Sequence, residues 1–291
     1  MKKRFKRVYV EITNQCNRHC SFCSPLLRSP GKISISQAEH VLKELKPFTD
    51  YLYLHVKGEP LLHSEFDSIL TLCDKYAYKV NITTNGTLLK QRLSILLKHP
   101  SLRQINVSLH HFNTLKDQHY LSNILEATTE ILNHTPIYVN YRFWTLQNNE
   151  LTKDMKKMLE QIISYFELDS SLLKNISVSK TQTLKPHLFL SKGDLFDWPS
   201  LSLPVASTEG TCHGTKDHIG ILCDGTVVPC CLDGNGCINL GNIYKTSLKE
   251  IIESPRFQSI YHGFRQNQVT EELCHTVRAL IKNKIVSSEY S

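Results

Sequence analysis

Short runs of alternating apolar and polar residues occupy the first two-thirds of the chain, separated by longer runs with helical spacing. The alternation predicts strands over 8–13, 51–57, 79–84, 104–110, 137–145 and 176–180. Helical spacing predicts helices near 34–46, 65–76, 88–98, 115–133 and 151–167. Ser34 and Ser64 stand where helix N-caps belong. Repeated strand–helix units predict a parallel sheet with helices packed outside it.

Strands of an ordinary parallel sheet are apolar on both faces. Here each predicted strand has one polar face, because successive side chains alternate. Val8, Val10 and Ile12 oppose Glu11 and Thr13; Leu52, Leu54 and Val56 oppose Tyr53, His55 and Lys57. Val80 and Ile82 oppose Asn81 and Thr83; Ile105, Val107 and Leu109 oppose Asn106, Ser108 and His110. Val139, Tyr141 and Phe143 oppose Asn140 and Arg142, and Ile176 and Val178 oppose Ser177 and Ser179. The apolar sets are expected on the helices and the polar sets around a shared interior. Six strands are too few for a closed eight-stranded barrel with a dry centre. The expected fold is therefore α/β: a partial (β/α)6 TIM-like barrel with a small C-terminal α+β module. The competing reading is an open sheet with one solvated face.

Pro186, Pro199 and Pro204 break the pattern, and residues 181–210 read as a linker. Beyond it, 219–222 and 227–228 flank Asp224-Gly225, which suits a tight hairpin turn. Helices are expected near 248–254 and 270–284. The domain division is thus 1–180, a linker at 181–210, and a module at 211–291.

Composition narrows the function classes. Ten cysteines in 291 residues are too few for a disulfide scaffold, and a chain this long buries a core without staples. No run of 18 apolar residues is present, so no membrane partner is expected. The basic start, Lys2 to Arg7, precedes an apolar run of only three residues and does not read as a signal peptide. A reducing, cytoplasmic location is expected, with cysteines kept as thiols. The net charge of +7 is spread along the chain, and no nucleic-acid partner is expected.

The chemistry concentrates in Cys16-Asn-Arg-His-Cys20-Ser-Phe-Cys23, directly after the first strand, where α/β proteins place ligand sites. Three cysteines in one loop leave one iron of a [4Fe–4S] cluster open, since such a cluster takes four protein ligands when closed. With His19 as fourth ligand the same loop makes a zinc site. The CX3CX2C loop, with Phe22 before its third cysteine, resembles that of the radical S-adenosylmethionine (SAM) enzymes. The resemblance implies that Cys16, Cys20 and Cys23 bind a [4Fe–4S] cluster. It implies that SAM chelates the open iron and is cleaved by one electron to a 5′-deoxyadenosyl radical, which abstracts hydrogen from a substrate. Lys57-Gly58-Glu59-Pro60 is similar to the family's segment for the SAM amino group, and Thr83-Thr84-Asn85-Gly86 is also typical. Ser108 falls near the ribose position of relatives, and Arg142 suits the SAM carboxylate by charge. Each of these residues also has an ordinary structural use as a cap, a turn or a paired side chain. Relatives with peptide substrates often have Asp-Gly where this chain has His110-His111, which adds two imidazoles near the expected cavity.

Cys212, Gly225 and Cys230 are spaced as in the opening of the SPASM and twitch extensions of that family, and Leu240-Gly241-Asn242-Ile243 is also typical. The implied auxiliary [4Fe–4S] site has Cys212, Cys230 and Cys274, with Cys231 or Cys237 as a fourth ligand. Val277 stands where a further cysteine is expected, so a second auxiliary cluster is not. Cys73 and Cys223 read as structural. The implied partners are a peptide or small-molecule substrate and an electron donor such as flavodoxin or ferredoxin. No catalytic acid, base or hydrogen donor is assigned. The alternative from another class is a non-catalytic zinc- or Fe–S-binding interaction module.

Overall fold

In the computed structural model residues 4–109, 119–146, 150–171, 181–195 and 197–277 are described. The strands in chain order are β1 (Val8–Val10), β2 (Tyr51–Tyr53), β3 (Lys79–Thr84), β4 (Leu102–Ser108), β5 (Tyr138–Leu146), β6 (Thr181–Lys185), β7 (Leu188–Asp194), β8 (Gly220–Ile221) and β9 (Val227–Val228). The helices are α1 (Ile35–Leu45), α2 (Phe66–Lys75), α3 (Leu93–Leu96), α4 (Tyr120–His134), α5 (Lys153–Tyr165), α6 (Leu248–Glu253), α7 (Pro255–Arg265) and α8 (Glu272–His275). The chain divides into two compact units. One comprises Met1–Asn17, Cys23–Lys79 and Asp197–Ser291; the other comprises Arg18–Phe22 and Val80–Phe196. These bounds differ from the expected division, because the first strand–helix units group with the C-terminal module.

In the first unit β1 pairs in parallel with β2 on one side and with β8 on the other, with Tyr9 opposite both Tyr53 and Gly220. The expected hairpin forms: β8 and β9 are antiparallel, and Gly225 turns between them at φ +86°. A Cβ on Gly225 would lie 2.4 Å from the Tyr244 ring, so the turn needs glycine twice over. Helix α1 starts at Ser34, whose hydroxyl accepts from the Gln37 amide while the Gln37 side chain accepts from the Ser34 amide. It buries Ala38, Val41, Leu42 and Leu45. Ser64 does not cap α2. The helix begins after Glu65, which makes no side-chain cap bond; His63, just after a 3-10 turn over Pro60–Leu62, accepts the Glu65 amide at Nδ1, and Ser64 Oγ accepts from Lys32 instead. Helix α7 was not expected from periodicity. Its signal is local: Ser254 accepts from the Phe257 amide and Pro255 takes the first helical position.

In the second unit β3, β4, β5 and β7 are successive parallel neighbours, and β6 pairs antiparallel with β7. The expected strand at 176–180 lies outside the described residues. Residues 181–194, expected as linker, are the β6–β7 hairpin. Pro186 does not break a strand there; it sits in the turn beside His187, whose φ is +65°. Leu188 and Leu190 then alternate into the core. Only Leu93–Leu96 of the expected helix at 88–98 forms, and α8 covers four residues of the one expected from 270. Its continuation from 278 and residues 115–118 of the expected fourth helix lie outside the described residues.

Within each unit the strands form an open row, β2-β1-β8-β9 in the first and β3-β4-β5-β7-β6 in the second. Yet the polar faces are not solvated. Glu11, Asn81 and Asn106 are each 0% exposed, which removes the reading of a sheet with one wet face. In the second unit part of this polar set bonds across strands: Asn140 Nδ2 donates to Asn106 Oδ1 at 3.2 Å and Ser191 donates to Asn140 at 2.9 Å, while the buried Asn81 Nδ2 has no partner among the described residues. Among the described residues no helix is long and apolar enough to cross a membrane.

His63 carries a pH prediction. It is buried, Nε2–H donates to Ile33 O, and Nδ1 accepts the Glu65 amide. Burial holds its pKa below the usual histidine value. The unfolded chain therefore binds more protons than the folded one as pH falls through about 6.5, and stability falls with it. Urea midpoints between pH 8 and 5.5 are expected to drop less in His63→Asn than in the parent.

Candidate active site and cysteine clusters

The three-cysteine loop leaves the end of β1, and its two ends are pinned by different means. Before Cys16, the side chain of Asn14 donates to Ser29 O at 3.0 Å and accepts from the Gly31 amide at 2.7 Å. After Cys23, Lys57 Nζ donates to Ser24 O at 2.6 Å, to Ser24 Oγ and to Pro25 O. Cys16 and Cys23 are exposed and Cys20 partly so, and none of the ten cysteines is in a disulfide. Arg18, inside the loop, lies 5.9 Å over the Tyr120 ring in the second unit, and Phe22 is half-buried. Among the described residues no three His, Cys, Asp or Glu side chains are gathered as a closed metal site.

The centre of the first unit is a buried carboxylate. Glu11, 0% exposed, accepts two bonds from Arg28 Nη2 at 2.8 and 2.6 Å, and further bonds from the amides of Lys57 and Cys223. Arg28 also donates to Gly234 O at 3.0 Å. Burial pushes the Lys57 ammonium below the usual lysine range, opposed by the charges of Cys23 and Glu11. Burial also pushes the Cys223 thiol up to about 11, which suits the structural role expected of it.

Gly58 comes closest to the loop's origin. Its φ is +78°, and an added Cβ would lie 2.4 Å from Thr13 O and 2.8 Å from Gln15 O. The Glu59 amide donates to Gln15 O at 2.8 Å. The Glu59 carboxylate is buried and accepts from the Leu61 amide, so it caps the 3-10 turn that Pro60 begins. That cap fixes the carboxylate's orientation.

In the second unit Thr83 lies on β3 opposite Asn106 of β4. Asn85 Oδ1 accepts from the Thr87 amide and hydroxyl, and the carbonyls of Asn85 and Ser108 both accept from the Tyr120 hydroxyl. Ser108 and Arg142 are paired across β4 and β5, so register puts these two expected residues side by side. Arg142 is 7% exposed, and its guanidinium lies 4.3 Å over the Trp144 ring. His110 and His111 lie outside the described residues.

The C-terminal cysteines form a second group. Burial raises the Cys230 thiol first, and then the nearby Cys212, Cys231 and Cys274 raise it further. Cys274 is raised by burial and by Cys212. Gly214 donates its amide to Cys212 Sγ at 3.3 Å, and a Cβ there would lie 3.6 Å from both Cys212 Sγ and Cys230 Cβ. The four thiols are partly exposed, and as soft sulfur donors near one another they are of the kind an iron–sulfur cluster takes. Cys231 belongs to this group, whereas Cys237 is exposed in a loop whose amides are held by the buried Asp233.

Sequence reasoning placed the cysteines but missed what holds them. Glu11 read only as a polar-face residue, and Asn235, which stands between Gly234 and Gly236, carried no signal of its partners. No spacing joins Arg28 to Glu11 or Asn235 to Pro25; Trp144 under Arg142 carried one signal, an aromatic two residues along the same strand face.

The model of the Radical SAM superfamily matches residues 10–162, more than half of the chain. The SPASM model, an iron–sulfur cluster-binding domain, matches residues 212–276. The GTP 3′,8-cyclase of Aquifex aeolicus (strain VF5) is 31% identical over 125 residues, 39% of this chain and 38% of that protein. A probable GTP 3′,8-cyclase of Methanocaldococcus jannaschii is 24% identical over 82% of this chain and 91% of that protein. The chain spans under two-fifths of the length of the first two curated relatives, 38% and 36%. Among solved structures, BtrN in complex with AdoMet and 2-DOIA is similar at TM-score 0.56 and 18% identity, over 92% of this chain and 89% of that one. Streptococcus suis SuiB bound to precursor peptide SuiA is similar at TM-score 0.62 and 16% identity, over 95% and 70%. These structures show the fold, the expected partial barrel. The cofactors implied are a [4Fe–4S] cluster and SAM, with an auxiliary iron–sulfur cluster for the C-terminal domain. The chain belongs to the Radical SAM superfamily and carries a C-terminal SPASM domain.

Proposed function

We propose that this chain is an enzyme that cleaves SAM reductively and abstracts hydrogen from a peptide or small-molecule substrate. With cluster and SAM bound, the chemistry supplied is one-electron cleavage of the sulfonium to a 5′-deoxyadenosyl radical. Cys16, Cys20 and Cys23 are the proposed ligands of the first cluster. The observation that carries the reading is Gly58: its missing side chain lets the Gly-Glu-Pro segment close onto the β1 end from which the cysteines leave. That brings a fixed carboxylate, Glu59, to the segment proposed for the SAM ammonium. Arg142, oriented by Trp144 and beside Ser108, supplies the charge for the SAM carboxylate. Phe22, Pro60, Thr83 and Asn85 complete the proposed cofactor-binding set. Cys212, Cys230, Cys231 and Cys274 are the proposed auxiliary ligands. Flavodoxin or ferredoxin is the proposed class of electron donor.

The substrate is proposed only as a class. The named relatives act on GTP, and the named structures hold 2-DOIA or a precursor peptide. The polar row of buried Asn106 and Asn140 and half-buried Ser191 supports a polar substrate in this chain.

Anaerobic reconstitution is expected to give a brown protein with about eight iron per chain, four per cubane. Dithionite and SAM should then yield 5′-deoxyadenosine. A chain that takes up its clusters and makes none is not such an enzyme, and a colourless zinc-loaded chain supports the interaction-module alternative. Cys20→Ala is expected to abolish SAM cleavage. Cys274→Ala is expected to lower iron by about four per chain while sparing uncoupled cleavage; full iron in that variant removes Cys274 from the ligand set.

A further inference from the structure

Residues 24–28, which follow Cys23 directly, form no helix or strand. Apolar burial does not hold them either: Leu27 is 77% exposed and Pro25 is exposed. Even so, side chains from three remote places in the same unit hold them, Lys57 and Asn235 by their backbone and Glu11 by the Arg28 side chain. Lys57 takes Ser24 O and Pro25 O. Asn235 makes a two-sided contact, donating to Pro25 O at 3.1 Å and accepting from the Leu27 amide at 3.0 Å. Glu11 takes Arg28 and, through its other bonds, the Lys57 and Cys223 amides. Gly234 lies on the Lys57 stem, where an added Cβ would meet Cε at 2.7 Å and Cγ at 3.0 Å. The loop of the C-terminal domain thus touches both the arm and the lysine that grips it.

We infer that Glu11, Lys57 and Asn235 are positioning residues through which the C-terminal domain sets the place of Cys23. The inference rests on the proposal that Cys16, Cys20 and Cys23 share a cluster. Asn14 and Gly58 already fix the chain before Cys16, so the arm after Cys23 is the remaining freedom of the loop. A site of this kind tolerates roughly 0.5 Å of displacement. A slack arm lets Cys23 drift relative to Cys16 while every ligand is still present. The C-terminal domain therefore has a use beyond its own cysteines.

Asn235→Ala tests this cleanly, because it removes both contacts from a loop side chain and leaves no buried charge unpaired. Lys57→Met is the second variant, keeping the stem on Gly234 while removing the ammonium. In the reconstituted protein, hydrogen exchange at the Leu27 amide is expected to rise about tenfold in Asn235→Ala, the size of one to two lost hydrogen bonds. Asn235→Asp retains the acceptor and is expected to restore part of that protection. Iron per chain should match the parent, while the paramagnetic resonance spectrum of the reduced protein with SAM shifts and KM for SAM rises more than kcat falls. Unchanged exchange in both Asn235→Ala and Lys57→Met means that no clamp exists. Faster exchange with an unchanged spectrum and KM means that the clamp does not position Cys23; either result overturns the inference. A parent chain without SAM cleavage overturns the proposed function instead, and the exchange measurement still reports the clamp.

Discussion

A carboxylate that has lost all contact with water governs the first unit. An isolated charge at the position of Glu11 would cost several kcal/mol of desolvation. It persists because four hydrogen bonds converge on it: two from Arg28 Nη2 and one each from the amides of Lys57 and Cys223. Those donors come from the arm of the cysteine loop, from the segment before Gly58 and from the C-terminal hairpin. None of the three can move away without leaving the charge short of a partner. An apolar residue in place of Glu11 would pack the strand end equally well but would specify none of these neighbours.

The same requirement explains the grouping of the chain. The C-terminal hairpin continues the sheet beside β1, with the Tyr9 amide bonded to Ile219 O and the Glu11 amide to Ile221 O. Helix α1 reinforces the join, since Glu44 accepts the Leu248 amide at the start of α6 and His40 bonds Ile243 O. Cys212, Cys230 and Cys231 therefore flank strands that extend the sheet beside β1, from whose end the first cysteine loop leaves, while Cys274 lies on α8. The second unit contributes different material: a parallel sheet whose interior polar side chains bond one another, with Ser108 and Arg142 adjacent on one face.

Much of this was legible in the residues. The alternation of Asn81, Asn106 and Asn140 with apolar neighbours gave both the strands and the buried polar interior. The spacing of Cys16, Cys20 and Cys23 gave the loop, and Asp224-Gly225 gave the hairpin. Local signals failed where the decisive partner was remote. Ser64 looked like a cap because only its downstream neighbours could be read; the helix begins one residue later, after Glu65, whose amide His63 takes from upstream. Residues 181–194 looked like linker because Pro186 was weighed as a strand breaker, whereas it occupies a turn. Glu11, Arg28 and Asn235 were illegible as a set, since no periodicity relates Glu11 to Arg28, 17 positions on, or either of them to Asn235, more than 200 positions on.

The pairing of Glu11 with Cys223 also bears on how the protein is made. The two residues are 212 positions apart. At ordinary rates of synthesis about 10–40 s separate the emergence of one from the other. During that interval one edge of β1 lacks its partner and the carboxylate lacks one of its donors. The early strand must then be kept from pairing elsewhere, a long-range closure that slows folding and exposes a chain to aggregation. The cysteine loop gains its last restraint only when the C-terminal hairpin arrives, so a ribosome-bound fragment carries the ligands without the fixed arm.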